Sequence, residues 1–460
     1  MAQQRPVTQK KIRRPRAGVR KTSLMIFLYN LVLVAGLILF LPLLFVKAFV
    51  PRKYRGRMLA RLGFGLAPLS RNLPGGRPRF WIHALSVGEV TSAVPLVKGI
   101  RQAYPNSALI FSAATMTGET LARQTLAADV DLLAPFPLDF YGTVTRFQRC
   151  LAPDLFILVE TDFWPNFLHG LKQQRIPALL VNGRISARSH DYYKKLRFLF
   201  QPLFSAFAAI STQTATDAAR MTDLGVPPNL VHPLGNLKYA AALPRPAVQD
   251  GISRAAFGIP ATHPVLLAGS THAGEEKIIL AVYSRLRQLF PQLRLILAPR
   301  HPARNTAVLA AAHAAGLVAG RRSATLPQDY TVLVLDTIGE LAAFYSLCDL
   351  AFIGGSLVAA GGHNPLEAAA VDRPVLFGPH MEDFQEIAAE LVNRGGGRQV
   401  NDSEELFNAL QEWLTDVDAR QRAGQAAGDL VRSHGDIIAR HLALIQEILA
   451  HDRTGAGSHG

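Results

Sequence analysis

Apolar and polar positions divide the chain into three regimes. Leu24 to Val46 is 23 residues without a charge, interrupted only by Tyr29, Asn30 and Pro42. As a helix this run is about 34 Å long, enough to cross a bilayer core of about 30 Å. It is too long for a signal peptide, and no small-residue cleavage site follows it. A buried core helix seldom stays apolar on every side over such a length. The pattern predicts an uncleaved anchor helix over 24–46. A segment lying in the membrane interface satisfies the same pattern.

From residue 80 short apolar runs alternate with helix-like stretches. Strands are predicted over Phe80–Ala84, Ala108–Ser112, Leu155–Val159, Ala178–Asn182, Ala208–Ser211 and Val231–Leu234. Residues 240–251, with two prolines and little periodicity, read as a linker. A second series follows: Val265–Gly269, Leu293–Ala298, Val332–Leu335, Leu350–Gly354 and Val375–Phe377. Such alternation indicates parallel α/β layers. The organisation is a basic tail (1–23), the anchor (24–46), a first domain (47–239), the linker, a second domain (252–453) whose last helix can pack back on the first, and a disordered Gly-rich tail (454–460). Two doubly wound domains imply a cleft, with ligands beyond the carboxyl ends of the strands.

Length fits this division, because 460 residues exceed one ordinary core. Charge changes the picture more. The net +15 is concentrated at the N-terminus: residues 1–88 hold 17 Lys/Arg and no acid, and Glu89 is the first carboxylate. The remaining residues are nearly balanced, so the globular body does not read as a nucleic-acid binder. The cations flanking the anchor suit an anionic membrane surface, but they lie on both sides and give no orientation. Cys150 and Cys348 supply neither a disulfide framework nor metal-ligand spacing.

Candidate chemistry lies just after the strands. In WIHALSVGE, Glu89 follows Ser86 and Gly88, with a helix expected from Val90. It reads equally as a general base and as a first-turn acid complementing the helix dipole. Glu160 opens ETDFWPN, where Asp162 and Asn166 are helix-capping candidates. Lys238, in GNLK, can neutralise a developing anion or be solvated. In AGSTHAGEE the small residues admit a ligand, Ser270 and His272 are contact candidates, and Thr271 is placed as the cap of the next helix. Arg300, after Pro299, can grip a phosphate or form a surface ion pair.

The densest constellation is FIGGSLVAAGGHNPLEAAA, Phe352 to Ala370. Asn364 is a good N-cap, Pro365 fits the first helical position, and Glu367 completes a capping box. Free amides at that helix start suit a phosphate. The glycine pairs Gly354-Gly355 and Gly361-Gly362 are costly unless something approaches closely. His83, His272, His301 and His363 match no metal motif and read as hydrogen-bonding groups.

These segments together resemble the 3-deoxy-D-manno-octulosonic acid (Kdo) transferases of lipid A biosynthesis. The likeness rests on SVGE (Ser86–Glu89), ATMTG (Ala114–Gly118), ETDFWPN (Glu160–Asn166), NGRIS (Asn182–Ser186), GNLK (Gly235–Lys238), GSTHAGEE (Gly269–Glu276), PRHPAR (Pro299–Arg304), GEL (Gly339–Leu341) and GGSLVAAGGHNPLE (Gly354–Glu367). Asp162 and Ala303 stand where the family commonly has Glu, and Ala359 where proline is frequent. The resemblance implies a GT-B fold, α/β with two Rossmann-like domains and an N-terminal membrane anchor. It implies inverting transfer of Kdo from CMP-Kdo to a lipid A precursor at the cytoplasmic side of the bacterial inner membrane, with no metal and no cofactor. Glu89 would be the base, and Glu160 and Lys238 would stabilise the transition state. Pro299, Arg300, Gly339, Glu340, Leu341, Asn364, Pro365, Leu366 and Glu367 would hold CMP. Ser86, Gly88, Ser270, Thr271, His272, Gly354, Gly355, Ser356, Gly362 and His363 are placed as donor or acceptor contacts.

Overall fold

The structure, a computed structural model, describes residues 25–36, 38–39, 52–71, 73–160, 163–243 and 252–456. The basic tail, Asp162, most of the expected linker and part of the expected anchor lie outside the described residues. The chain divides into two compact units, Met1–Leu237 with Ile437–Gly460, and Lys238–Asp436. The division falls inside the helix Leu237–Ala242 rather than in 240–251. The second unit ends at Asp436 instead of 453. The closing helix Ile437–Ala456 belongs to the first unit and continues through 454–456, where disorder was expected. A non-local partner fixes it there: buried His441 bonds through Nε2 to Ser211 Oγ at 2.8 Å.

The first unit holds seven parallel strands in the order β3-β2-β1-β4-β5-β6-β7. They are Arg79–Ala84 (β1), Ala108–Ala113 (β2), Leu132–Leu133 (β3), Leu155–Val159 (β4), Ala178–Gly183 (β5), Phe207–Thr212 (β6) and Val231–Pro233 (β7). The second unit orders its seven as β10-β11-β9-β8-β12-β13-β14. These are Val265–Thr271 (β8), Arg294–Pro299 (β9), Ala319–Arg321 (β10), Val332–Val334 (β11), Leu350–Ile353 (β12), Val375–Phe377 (β13) and Gly397–Gln399 (β14). Every run predicted from apolar patterning is a strand. Central strands such as β2 and β4 are buried at every position, as parallel strands covered on both faces must be. The strands that patterning missed, β3, β10 and β14, are two- or three-residue edge strands, too short to carry a period.

Part of the expected anchor is described. Residues 25–36 are helical, with Met25 and Ile26 in the core of the first unit. The polar residues that interrupt the apolar run clasp the domain: Tyr29 bonds to Asp139, and Asn30 exchanges bonds of 2.8 and 2.9 Å with Asn166. Phe27, Leu28, Leu31, Val32 and Val34 are exposed. Among the described residues no helix is long and apolar enough to cross a membrane. Asn166 is not the helix cap its motif suggested. The carboxylate of Asp139 accepts from Asn166 N (3.0 Å) and Phe167 N (2.8 Å), capping the helix Pro165–Gln173 from a distant loop. Burial pushes the Asp139 carboxyl up to about 6, against the lowering effect of these bonds.

Candidate active site

In each sheet the strand order reverses around the first strand of the unit, β1 and β8, and the loops leaving the neighbouring carboxyl ends carry the candidate residues. In the first unit the helix after β1 begins at Val87, earlier than expected, so Glu89 lies within its first turn. Ser86 is the N-cap, its Oγ accepting from Glu89 N at 3.4 Å. The buried Glu89 carboxylate accepts from Leu85 N at 2.6 Å and from Ser86 Oγ at 3.3 Å. This is a reciprocal cap, and it fixes the carboxylate at the mouth of the sheet. Gly88 beside it is exposed, and a Cβ there would meet nothing closer than Ser86 Oγ at 3.9 Å.

Glu160 leaves β4, the neighbour of β1, with φ of 63°. Asn182, at the end of β5, has φ of 58°. A non-glycine residue held left-handed stores strain that the surrounding structure must over-determine. The determinants are visible: Glu160 N donates to Val181 O at 2.9 Å, and Asn182 Nδ2 donates to Glu160 Oε1 at 3.2 Å. Asn182 Oδ1 in turn accepts from Leu237 N at 2.9 Å. One side chain thus ties the ETDFWPN glutamate to the GNLK turn. Sequence reasoning quoted NGRIS but gave Asn182 no role; an asparagine at a strand end, tolerant of left-handed backbone, was the available signal. Lys238 is the next residue along. Its Nζ lies 4.3 Å over the Phe384 ring and donates to Asp383 O at 3.3 Å.

In the second unit the loops after β8 and β12 are locked by a residue that sequence reasoning treated only as the helix start. The fully buried Glu275 carboxylate accepts from four amides, those of His272 (2.8 Å), Gly355 (2.7 Å), Ser356 (3.0 Å) and Leu357 (2.9 Å). The protein's own carboxylate therefore occupies the nest of the Gly-Gly-Ser turn. The expected close approach to the glycines is also internal. A Cβ on Gly354 would lie 2.5 Å from Ser270 O, one on Gly355 would lie 3.1 Å from His363, and one on Gly362 would lie 2.4 Å from Met381 Sδ. Thr271 is not a helix cap: it is buried at the end of β8, and Gly274 precedes the helix Glu275–Leu289. Ser270, just before it, is another left-handed non-glycine residue, with φ of 57°.

What this lock presents is a pair of imidazoles. His272 Nε2 and His363 Nε2 are 2.8 Å apart. One proton lies between them, because one ring must donate and the other accept. The accepting ring of such a pair carries its own proton on Nδ1, a further donor. Burial, then the nearby Arg300 guanidinium and the neighbouring His272 and His301, hold His363 down to about 4. Arg300 follows β9, the neighbour of β8, and its backbone N donates to Thr271 O at 3.0 Å. Its side chain is exposed and has no protein partner among the described residues. An exposed guanidinium beside this imidazole pair is chemically suited to an anion.

The other predicted CMP contacts differ in what they can offer. Gly339 turns with φ of 89° after β11, and Glu340 is already held by Thr337 and by Arg322 at 3.3 Å. Leu341 opens a short helix, Leu341–Phe344, and is half-buried. Asn364 Oδ1 accepts from Leu366 N at 3.1 Å, but Pro365, not Asn364, stands at the N-cap, because the helix begins one residue later than expected and spans only Leu366–Ala369. Leu366 is fully buried and Pro365 is buried, which leaves Asn364 and Glu367 as the side chains on the accessible side. His83 is a core group: it stacks on Phe136 at 3.6 Å, and burial lowers it to about 3.

The sequence signature described as 3-deoxy-D-manno-octulosonic-acid transferase matches residues 56–241. The chain is 35% identical over 435 residues to the 3-deoxy-D-manno-octulosonic acid transferase of Haemophilus influenzae, covering 93% of this chain and 98% of that protein. It is 31% identical over 403 residues to the enzyme of the same description from Bordetella pertussis, covering 85% and 92%. The chain belongs to the Kdo transferase family. It is accordingly a glycosyltransferase. Among solved structures, it resembles a putative UDP-N-acetylglucosamine 2-epimerase from Listeria monocytogenes with a TM-score of 0.57 and 14% identity, over 81% of this chain and 97% of that one. That likeness concerns the fold alone, the GT-B arrangement of two parallel α/β sheets. Within the Kdo transferase family, then, this chain carries glutamates after β1 and β4 in its first unit and an exposed arginine after β9 in its second.

Proposed function

We propose that this protein transfers Kdo from CMP-Kdo to a lipid A precursor, lipid IVA, with inversion at the anomeric carbon. The observation that carries the reading is the unpartnered Arg300 guanidinium beside the His272–His363 pair, in a chain of this family. A CMP leaving group develops charge on its phosphate as the bond to the sugar breaks. Arg300 and an outward imidazole N–H supply donors aimed at that charge. Asn364 and Glu367 suit the ribose hydroxyls, while Pro299 at the end of β9 and Gly339, Glu340 and Leu341 at the start of a short helix are assigned to the base and ribose.

At the acceptor, Glu89 takes the hydroxyl proton as its oxygen attacks the anomeric carbon and CMP departs. Leu85 N and Ser86 Oγ orient the carboxylate for this role. Glu160 and Lys238 stabilise the charges that shift between the sugar carboxylate and the leaving group. Protein donors neutralise the phosphate, so the proposed reaction uses no metal, and turnover is expected to persist in EDTA. The acceptor is held in lipid, which suits an N-terminal segment exposing apolar residues. Nucleotide sugars are made in the cytosol, so the catalytic units are assigned to the cytoplasmic face of the inner membrane.

The test is mass spectrometry of lipid products from the full chain, with CMP-Kdo and a panel of UDP-sugars as donors. Addition of Kdo units to lipid IVA from CMP-Kdo alone is the expected result. Transfer from a UDP-sugar in its place would assign a different donor. No product with any donor would favour a non-catalytic scaffold.

A further inference from the structure

The first unit contains a cavity of about 750 Å³ on the outer side of the edge strand β3, beneath the helix Arg52–Arg61. One stripe of the helix Met116–Leu126 lines it, at the spacing of three to four residues that places side chains on one face. From Met116 to Ala127 that wall runs about 16 Å. Leu132 and Leu133 of β3 form an apolar floor, and Leu69 adds a further apolar wall.

The charges in this lining do not balance locally. Glu119 is paired with Arg57 at 3.2 Å. Asp131 is taken up by Arg101 at 2.6 Å and by Leu109 N at 2.7 Å. Arg123, exposed and on the same wall, has no protein partner among the described residues. An apolar trough with one uncompensated guanidinium matches an amphiphile with an alkyl chain and an anionic group.

The cavity is also connected to the base. Arg57 donates to Ala114 O, Thr115 N donates to Leu85 O at 3.1 Å, and Leu85 N donates to Glu89 Oε2 at 2.6 Å. β1 and β2 are paired in parallel through Ala84 and Ala113, so the Met116 end of the cavity lies on the same sheet edge as Glu89. We propose that this cavity is the subsite for a fatty-acyl chain and a phosphate of the acceptor, with the chain on Leu132 and Leu133 and the phosphate on Arg123. This assignment rests on the reading of the acceptor as an acylated, phosphorylated sugar.

Two variants of the full chain test it, Leu133→Trp to fill the floor and Arg123→Gln to remove the charge. Melting curves serve as the folding control. With CMP-Kdo fixed, KM is measured for lipid IVA and for its fully deacylated backbone, which keeps the phosphates. Leu133→Trp should raise KM roughly tenfold for the acylated acceptor only, and Arg123→Gln roughly tenfold for both, the scale of one lost charge-assisted bond. The KM for CMP-Kdo should not change in either. Equal effects of Leu133→Trp on both acceptors, or none on the acylated one, would overturn the assignment. Calorimetric titration with dodecyl phosphate separates the two readings, since it needs no turnover. Binding to wild type that both variants lose supports the subsite even if CMP-Kdo proves not to be the donor. Equal binding by wild type and both variants refutes the subsite even if Kdo transfer is confirmed.

Discussion

The two units apply one architecture to opposite tasks. In the first, carboxylates stand at the strand ends: Glu89 after β1 and Glu160 after β4. In the second, the buried carboxylate at the corresponding place, Glu275, is consumed by four amides, and what faces outward is cationic or neutral: Arg300, His272 and His363. Glu89 accepts from Leu85 N and Ser86 Oγ, both within four residues of it in the chain. Glu89 is thus held by neighbours in sequence, whereas Glu275 braces a loop about 80 residues away. A glutamate at a helix start is therefore not a function by itself.

The sharpest way to break the comparison is to exchange the carboxylates for amides. Glu89→Gln keeps one acceptor oxygen for Leu85 N and turns an NH2 toward Ser86 Oγ, which can accept from it, but it cannot take a proton. Turnover should fall by about 10²–10⁴, with CMP affinity unchanged by calorimetry. Near wild-type turnover would remove Glu89 from the mechanism. Glu275→Ala should instead lower stability, because stranded amides cost about 1–3 kcal/mol each when buried. Chemical denaturation of that variant should show a loss of several kcal/mol; a loss below about 1 kcal/mol would contradict the brace. Glu275→Gln, with one acceptor oxygen, should fall between the two.

A smaller effect tests the imidazole pair. His363→Gln breaks the shared proton and should weaken CMP roughly tenfold, about the value of one charge-assisted bond. The ¹⁵N resonances of His272 should then lose their response to CMP. An unaltered response would leave the pair a packing feature.

The smallest predicted effect is graded with pH. Burial holds His83 down to about 3 and His441 to about 4. Unfolded imidazoles bind protons below about 6.5 while these do not, so stability should fall as pH drops from 6.5 toward 4. Asp139, raised to about 6, acts in the opposite sense: its contribution declines as pH rises from its unfolded value to 6. Two imidazoles outweigh one carboxyl, so the melting temperature should decrease on acidification. A melting temperature that rises between pH 6.5 and 4.5 would contradict this balance.

Much of this was legible in the chain. Runs such as Leu155–Val159 are apolar without interruption because parallel strands are buried on both faces, and patterning located every long strand. Ser86 and Glu89 stand three residues apart, a local signal that any helix start would use, and they cap as that spacing requires. The family motifs, each continuous in sequence, marked the loops that the folded strands bring to the two sheet edges.

Other outcomes depended on partners far away in the chain. Glu275 reaches residues about 80 positions on, and no local pattern distinguishes that from an exposed first-turn acid. The glycine pairs suggested ligand contact, yet Gly354 yields to the backbone of Ser270 and Gly362 to Met381. Asn166 had the composition of a cap, while Asp139 does the capping. Tyr29 and Asn30 looked like flaws in an apolar run until Asp139 and Asn166 gave them partners. Sequence by itself determined the strands and the order of the motifs, because these follow from apolar periodicity and the chain itself. Only the tertiary structure decided that the Glu275 carboxylate is spent on the amides of a distant loop, because burial and long-range donors set that outcome.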